Sequence, residues 1–322
     1  MAAYRHLHRF VPADIEAALG QRYIVGPEIG VGGQGVVFRA TRTFRPDGTA
    51  ASDDVALKLH LHPNQDNRVK REITAMENVS HPNLARLIED GYCDLAGRYM
   101  PYLAWEFIEG HPLSVRLKSG PLLESEVLAI GRDVSAAISE IWSRRIVHGD
   151  IKSSNIILRN SGGYMLLGSV ESAVLIDLGA ARYLDQDNTR FLRPSRYVNA
   201  ADTASILKPI GTTGFRSPEQ ISGVRTLSCA SDVFSLGIVM LQCLLGHHPT
   251  SYDEGALVDG IQASRCRLAA SAVLLRALDT MLSPRPAARP NPTELSRSFQ
   301  GLWQKMQPGL AWGYGAPSKA QG

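Results

Sequence analysis

The stretch His148-Gly149-Asp150-Ile151-Lys152-Ser153-Ser154-Asn155, followed downstream by Asp177-Leu178-Gly179, decides the fold of this 322-residue chain. It brings a carboxylate, an ammonium and an amide into one short segment and adds a second carboxylate further on. Taken singly, these residues have ordinary explanations, because an Asp often caps a turn and an Asn is a common turn amide. Together with the segments that precede them, they indicate a chemical site.

A glycine-rich segment lies well upstream, at Gly30-x-Gly32-x-x-Gly35-x-Val37, between two predicted strands. Alone it is a weak signal, because glycines also serve tight hairpins and the same spacing occurs in dinucleotide-binding folds. A dinucleotide fingerprint opens a helix, whereas this loop runs into another strand. Since a backbone without Cβ can approach a phosphate closely, the segment is interpreted as a phosphate-covering loop.

The next strand carries Ala56-Leu57-Lys58, and the helix predicted over residues 68–79 carries Glu72. A lone Lys and a lone Glu are most often solvated surface charges. Following this glycine loop in this order, they are candidates for a buried ion pair in which the ammonium is held still beside phosphates.

These motifs, in this order, resemble those of the eukaryotic-type (Hanks-type) protein serine/threonine kinases over residues 23–306. HGDIKSSN resembles the family's catalytic loop, and Asp177-Leu178-Gly179 stands where the family usually has Asp-Phe-Gly. Three later segments also match: Gly211-Thr212 to Ser217-Pro218-Glu219, Ser231-Asp232-Val233-Phe234-Ser235-Leu236-Gly237, and Arg289-Pro290.

The resemblance implies an α+β, bilobal fold, with a small β-rich N-lobe containing one main helix and a larger, mainly helical C-lobe. It implies ATP and Mg²⁺ as cofactors, with Mn²⁺ possible, and a protein substrate with a Ser or Thr acceptor. Asp150 and Lys152 would be catalytic, and Asn155 and Asp177 would hold the metal. The residues expected to bind ATP are Gly30, Gly32, Gly33, Gly35, Val37, Ala56, Lys58, Glu72, Glu106, Ile108 and Ile157.

The expected domains are an N-terminal extension (1–21), the N-lobe (22–108), the C-lobe (109–306) and a flexible tail (307–322). Helices are predicted behind Pro12 and over residues 124–142, 232–245, 272–282 and 293–306, with strand-like segments at 84–88 and 103–108. A polar stretch, residues 41–54, is expected to be a long hairpin loop. The five histidines His8, His60, His62, His247 and His248 are interpreted as surface or turn residues.

Composition excludes several classes of protein. With 44% hydrophobic residues the chain can bury a core, which argues against a disordered protein. The net charge of +3, without blocks of like charge, gives no reason to expect a nucleic-acid or membrane partner. The four cysteines have no C-x-x-C spacing, and no secretory signal or spanning segment is visible, so a cytoplasmic protein is expected.

Three positions depart from the family pattern. Gly149 replaces the Arg that commonly pairs with a phosphorylated activation segment, so we expect activity without that phosphorylation, unless Arg182 does the pairing. Leu178 replaces Phe and is expected to join a hydrophobic stack with His148, Met76 and Leu87 above Asp232. Trp105 stands at the gatekeeper position and is expected to close the pocket behind ATP. Within the long activation segment, the candidate phosphorylation sites are Thr189, Ser195, Tyr197, Thr203 and Ser205.

Two alternatives to an active kinase remain open. One is a pseudokinase that binds ATP as a scaffold or regulatory module. Such proteins usually lack at least one residue of the catalytic set, and here the whole set is present: Lys58, Glu72, Asp150, Lys152, Asn155 and Asp177. The other is a small-molecule kinase of related fold, which the Ser-Pro-Glu motif and Arg289 disfavour. Glu219 and Arg289 are themselves expected to form a structural ion pair.

Overall fold

A computed structural model describes residues 11–32, 35–60, 66–159, 172–183, 211–223, 228–266, 268 and 270–306. The predicted tail, Gly33 and the five candidate phosphorylation sites of the activation segment lie outside these residues, as do His8 and His62.

The first five strands form one antiparallel sheet in the order β1-β2-β3-β5-β4. Their bounds are Tyr23–Gly32 for β1, Gly35–Phe44 for β2, Ala50–His60 for β3, Leu87–Leu95 for β4 and Arg98–Glu106 for β5. The predicted glycine-rich turn therefore joins β1 to β2, with Gly30 opposite Val37 and Gly32 opposite Gly35.

One helix covers each face of this sheet. Along β3, Val55, Leu57 and Leu59 point to an outer core that also contains Ile15 of helix α1 (Pro12–Ala18). Ala56 points to the opposite face and joins the main core with Val69 of helix α2 (Asp66–Glu77). This division follows from the alternation of side chains along a strand. Burying a side chain such as Ile15 contributes about 1.5–3 kcal/mol.

The rest of the described chain is mainly helical. The helices are α3 (Leu113–Arg116), α4 (Glu124–Ser143), α5 (Pro218–Ile221), α6 (Cys229–Leu245), α7 (Leu257–Arg265), α8 (Ala272–Met281) and α9 (Pro292–Met306). Buried side chains lie all around α6, as its apolar sequence predicts, and Ser228 caps its first turn by accepting a hydrogen bond from the N–H of Ala230 at 3.3 Å. The long helices α4, α6, α8 and α9 confirm the predicted ones.

Short strands connect the helices and frame the segments with chemistry. They are β6 (Gly110–Pro112), β7 (Ile146–Val147), β8 (Ile156–Arg159), β9 (Ala173–Leu175) and β10 (Arg182–Tyr183). Strands β6, β8 and β9 form a three-stranded sheet, and β7 pairs with β10. The change from sheet to helices falls after Glu106, and the division of the chain at residues 108 and 109 stays a prediction. Within the described residues, no helix has both the length and the apolar character needed to cross a membrane.

Two expectations about the N-lobe were wrong. The stretch 41–54 is not a long loop, because Thr41 pairs with Asp54 and Arg42 with Asp53 across β2 and β3. An ion pair between Arg42 and Asp53 at 2.6 Å stabilises this polar extension of the hairpin.

The strands β4 and β5 also run well beyond the predicted segments, to residues 95 and 98. A two-residue turn at Ala96 and Gly97, both with positive φ, joins them. The short helices α3 and α7 were not predicted, because neither has a clear apolar stripe of its own.

Candidate active site

Lys58 of β3 lies between two carboxylates that come from different parts of the chain. Its Nζ is 2.7 Å from Oε1 of Glu72 on α2 and 3.1 Å from Oδ1 of Asp177, which follows β9. The Lys58 and Glu72 side chains are 4% and 0% exposed, whereas that of Asp177 is 28% exposed. The predicted pairing of Lys58 with Glu72 therefore exists, and Asp177 makes it a three-membered cluster.

The charges in this cluster shift the pKa values of its members. Burial alone would lower the pKa of Lys58, but the charges of Asp177 and Glu72 outweigh it and raise that pKa. Burial would likewise raise the pKa of Asp177, yet the nearby Lys58 ammonium holds it well below its usual range. Both groups are therefore charged at neutral pH.

The backbone holds Asp177 in an unusual conformation. Its φ is +65°, in the left-handed region that residues other than glycine seldom adopt. The N–H of Gly179 donates to its Oδ1 at 3.2 Å, and the N–H of the preceding Ile176 donates to the carbonyl of Asn155 at 2.9 Å. Such strain is typical of sites whose surroundings fix the geometry of a functional group.

A second cluster lies in the segment HGDIKSSN. Oδ1 of Asp150 accepts a hydrogen bond from Oγ1 of Thr212 at 2.6 Å, and Oδ2 accepts one from Nζ of Lys152 at 2.8 Å. Lys152 also donates to Thr212 Oγ1 at 2.8 Å, which closes a triangle. The Asp150 and Lys152 side chains are 12% and 22% exposed, so solvent or a ligand can reach them.

Buried groups hold this segment in place from below. The two carboxylate oxygens of Asp232, on α6, accept the N–H groups of His148 and Gly149 at 2.8 Å each. Burial raises the pKa of Asp232, since its two backbone hydrogen bonds only partly offset the cost of burying the charge. The side-chain amide of Asn155 donates to the carbonyl of Asp150 at 3.0 Å. The loop is thus anchored at both ends.

The predicted adenine-side residues line one side of the strands. Val37 and Leu103 lie directly opposite Lys58 on the neighbouring strands, and Ala56 lies opposite Trp105, so these side chains share a face. Ile157 packs against the main core from β8. The N–H of Glu106 is taken by the carbonyl of Arg86 at 2.8 Å.

Three further observations concern the departures from the family pattern. Trp105 is buried, with its ring centroid 5.8 Å from Lys58 Nζ, so a bulky side chain does stand beside the cluster. Leu178 and Met76 lie in the main core, with Leu87 packed against it, as the predicted stack requires. Gly149 has a φ of +78°, a backbone conformation that suits glycine better than other residues.

The predicted structural ion pair is confirmed. Arg289 donates Nη1 and Nη2 to the two carboxylate oxygens of Glu219, at 2.6 and 2.9 Å. Ser231 Oγ donates to the same carboxylate at 2.8 Å, and the guanidinium lies 4.8 Å from the ring centroid of Phe234.

The interpretation of the histidines was wrong at two positions. His60 is buried at the end of β3, with Nε2 3.8 Å from Oε2 of Glu72. His248 is buried after α6 and forms a hydrogen bond with the carbonyl of Gly214 at 3.0 Å. A period-2 pattern along β3 would have indicated that His60 shares a face with Lys58, whereas nothing local marks His248.

A two-lobed fold with these two clusters between a β-sheet and a helical half is that of a protein kinase. Accordingly, the chain belongs to the protein kinase domain family, whose model matches residues 23–306. This confirms the predicted family and the α+β bilobal fold class.

Among similar proteins is a probable serine/threonine-protein kinase of Corynebacterium efficiens, 29% identical over 237 residues, which are 72% of this chain and 32% of that protein. The serine/threonine-protein kinase PknA of a Nostoc species is 28% identical over 280 residues, 85% of this chain and 46% of the relative. PknB of Mycobacterium leprae is 27% identical over 232 residues, 72% and 33% of the two chains. The chain therefore spans 32% to 46% of the length of these relatives.

Proposed function

We propose that this chain is an ATP-dependent protein serine/threonine kinase that transfers the γ-phosphate of Mg-ATP to Ser and Thr hydroxyls, its own included. The observation that carries the proposal is the triangle of Asp150, Lys152 and Thr212. In it, the Asp150 carboxylate already accepts a hydrogen bond from the hydroxyl of Thr212 and lies next to the Lys152 ammonium. A substrate hydroxyl that receives a phosphate needs a carboxylate and a cation in the same way.

The protein's part in such a reaction is positioning and charge neutralisation, because phosphoryl transfer requires little covalent help. Asp150 would orient the acceptor hydroxyl and take its proton as the oxygen attacks. Lys152, 2.8 Å from Asp150, would stabilise negative charge on the transferred group. The Lys58–Glu72 pair would hold the other phosphates, since a cation fixed in a nearly dry position loses no energy in reorganising.

The residues present fit a nucleotide with its metal. Asp177 is ionised, and its Oδ1 is engaged by Lys58 and Gly179. Asn155 uses its amide nitrogen on Asp150, which leaves its side-chain oxygen for another partner. Mg²⁺ prefers hard oxygen ligands and takes several from waters and phosphates, so one carboxylate and one amide suffice from the protein. When bound, the metal would neutralise phosphate charge; Mn²⁺ has similar ligand preferences.

The backbone of the segment after β5 supports the expected adenine position. The N–H groups of Glu106 and Phe107 donate to protein carbonyls, at 2.8 and 3.2 Å. In the described part of the chain, the N–H of the buried Ile108 has no protein acceptor. An acceptor nitrogen of the purine would satisfy this donor.

Several features favour a protein Ser/Thr substrate, and we keep a cytoplasmic location as the expectation from the sequence. Lys152 and Thr212 contact the same carboxylate, an arrangement that the resemblance associates with Ser/Thr rather than Tyr specificity. The similar bacterial proteins are named serine/threonine-protein kinases. We retain the expectation that neither nucleic acid nor membrane is a partner, on the basis of the net charge of +3.

Incubation with labelled Mg-ATP and a generic basic protein tests the proposal. We expect label on Ser and Thr of both the chain and the added protein, mapped by mass spectrometry. Asp150→Asn, which keeps the size of the side chain, should reduce the rate by about 10²–10⁴-fold, the range of general base catalysis. Asp259→Asn, an exposed change on α7, serves as the matched control. ATP binding without transfer by the wild type would instead favour the pseudokinase.

A further inference from the structure

The loop between α6 and α7 holds both backbone polar groups of Gly214. His248 Nε2 lies 3.0 Å from the Gly214 carbonyl oxygen, and Glu254 Oε1 lies 3.2 Å from the Gly214 nitrogen. Glu254 is also 3.0 Å from Nε of Arg216. The substrate-side segment, defined as residues 212–217, is therefore clamped by a loop remote from it in sequence.

The hydrogen bonds of His248 determine its tautomer. Its Nδ1 faces the backbone N–H groups of Tyr252, at 3.0 Å, and Thr250, at 3.3 Å, so it must be the acceptor nitrogen. Nε2 then carries the proton and donates to Gly214. Burial lowers the pKa of His248, which favours the neutral form that this pattern needs.

The surroundings of the ring leave it little freedom. It stacks on Tyr252, with centroids 4.2 Å apart, and meets Phe215 edge-on at 5.2 Å. Gly214 has a φ of +89°, and a Cβ there would lie 2.8 Å from Tyr252 Cδ1 and 3.0 Å from His248 Nε2. Ser251 and Tyr252 both adopt positive φ, at 49° and 70°. Two consecutive strained residues imply that the loop conformation is imposed by its contacts.

The clamped segment begins with a member of the candidate catalytic triangle. Thr212 contacts Asp150 and Lys152, and Gly214 follows two residues later. On the other side, the side-chain amide of Gln220 donates to the carbonyl of Gly149 at 3.3 Å. The segment thus links the candidate catalytic triangle to the α6–α7 loop, so a shift of its backbone would be felt at Asp150.

We propose that His248 is a positioning residue of the acceptor site, fixing the backbone of the substrate-side segment so that a protein substrate meets a preformed surface. This inference rests on the proposed kinase function. Loss of the His248–Gly214 hydrogen bond should weaken the productive binding of a protein or peptide substrate and leave the binding of ATP unaltered.

Two substitutions separate the two nitrogens of the ring. His248→Asn places an acceptor near the position of Nδ1 and removes the donor to Gly214. His248→Gln places an amide donor near the position of Nε2 and removes the contact within the loop. We expect His248→Asn to raise the KM for a peptide substrate by about three- to tenfold, the range that one net hydrogen bond supplies. His248→Gln should recover most of that loss, and the KM for ATP should not change in either variant.

A change on the other side of the contact gives an independent test. Gly214→Ala introduces the Cβ that would clash with Tyr252 and His248, and should raise the peptide KM in the same way. Because the two changes break one contact, the double variant Gly214→Ala/His248→Asn should lose less than the product of the two single effects. Thermal unfolding of each variant shows whether it remains folded under the assay conditions.

An unchanged peptide KM in folded His248→Asn would overturn the inference. A parallel rise in the KM for ATP would also overturn it, and so would an equal rise in the peptide KM of His248→Gln. Both results would indicate a general loss of structure and not the loss of one hydrogen bond. If the wild type transfers no phosphate to any protein or peptide, the proposed function fails first, and that result is distinct from active variants with wild-type KM values.

Discussion

Lys58–Glu72 and Arg289–Glu219 are both ion pairs that water scarcely reaches, one in each half of the molecule, and they are held very differently. In the first, a single 2.7 Å hydrogen bond joins a strand to a helix, and Lys58 divides its charge between Glu72 and Asp177. In the second, two parallel hydrogen bonds of 2.6 and 2.9 Å are reinforced by Ser231 and by backbone carbonyls.

Under the proposed function, the difference separates a pair that serves the reaction from one that serves the fold. The bidentate Arg–carboxylate geometry is specific and leaves few donors unused, which suits a permanent link. The Lys ammonium is a point charge with three donors, so it can change partners when a phosphate arrives. The comparison predicts that equivalent substitutions in the two pairs will affect different quantities.

The largest expected effect is on stability. Arg289→Met leaves Glu219 charged and buried without its partner, so the free energy of unfolding should fall by about 3–5 kcal/mol. Urea unfolding followed by circular dichroism measures this. Replacing both partners, Glu219→Met/Arg289→Met, should cost less than Arg289→Met alone, because no unpaired charge remains. A double variant that is less stable than either single one would contradict this account.

Glu72→Gln should act chiefly on the reaction. The amide keeps the shape of the side chain and an acceptor oxygen, and Lys58 retains Asp177, but α2 then holds the ammonium through a neutral group instead of a carboxylate. A small displacement of a positioning group can cost about 10²-fold in rate, and we expect a loss of that order in kcat/KM. Glu219→Gln is the matched change in the other pair. It should reduce stability more than Glu72→Gln and activity less; the reverse order would break the comparison.

The next prediction concerns Trp105, whose ring centroid is 5.8 Å from Lys58 Nζ, beside the Lys58–Glu72 pair. Trp105→Gly should open space behind the nucleotide, so inhibitors with a bulky apolar group there should bind about tenfold to a hundredfold more tightly, as expected for burying one large apolar group. Competition against ATP measures the change. Equal inhibition of both forms, with Trp105→Phe as the intermediate control, would show that the ring does not close that space.

The smallest expected effect is a dependence of stability on pH. Burial would raise the pKa of Glu219, but Arg289 outweighs burial and lowers it below the ordinary value of 4.5. The pair's contribution is therefore complete above pH 4.5 and is lost as the pH falls through the lowered pKa. The melting temperature of Glu219→Gln should fall less steeply in that range than that of the wild type. Parallel curves would show that other carboxylates, Asp177 among them, dominate.

Much of the fold follows from local patterns. The helices over residues 124–143 and 229–245 have the periodicity or the uniform apolar character that burial demands, and they were predicted almost to their ends. The polar extension of the β2–β3 hairpin was missed, because pairs such as Arg42 with Asp53 stabilise strands that propensity alone does not favour. For β4 and β5 only the strand-like segments 84–88 and 103–108 were predicted, and their extension into a hairpin was missed, since the strands mix polar and aromatic residues.

The candidate site was predicted in the same uneven way. Lys58, Glu72 and the residues of HGDIKSSN were singled out because motif order restricts their meaning. His248 was interpreted as a surface or turn residue because a histidine after a helix gives no sign of burial, and only the approach of residues 212–217 makes it a partner of Gly214. His60 was misassigned for a similar reason, since its neighbour Glu72 comes from another element.

By itself, the sequence determined which chemical groups the protein has and in what order, together with the helices whose periodicity requires a buried face. Tertiary structure alone decided which of those groups meet: Lys58 and Asp177 are 119 residues apart, and Asp150 and Thr212 are 62 apart. The reason is physical. Periodicity and propensity act over a few residues, whereas an ion pair or a buried histidine depends on packing that brings distant segments together and removes water from between them.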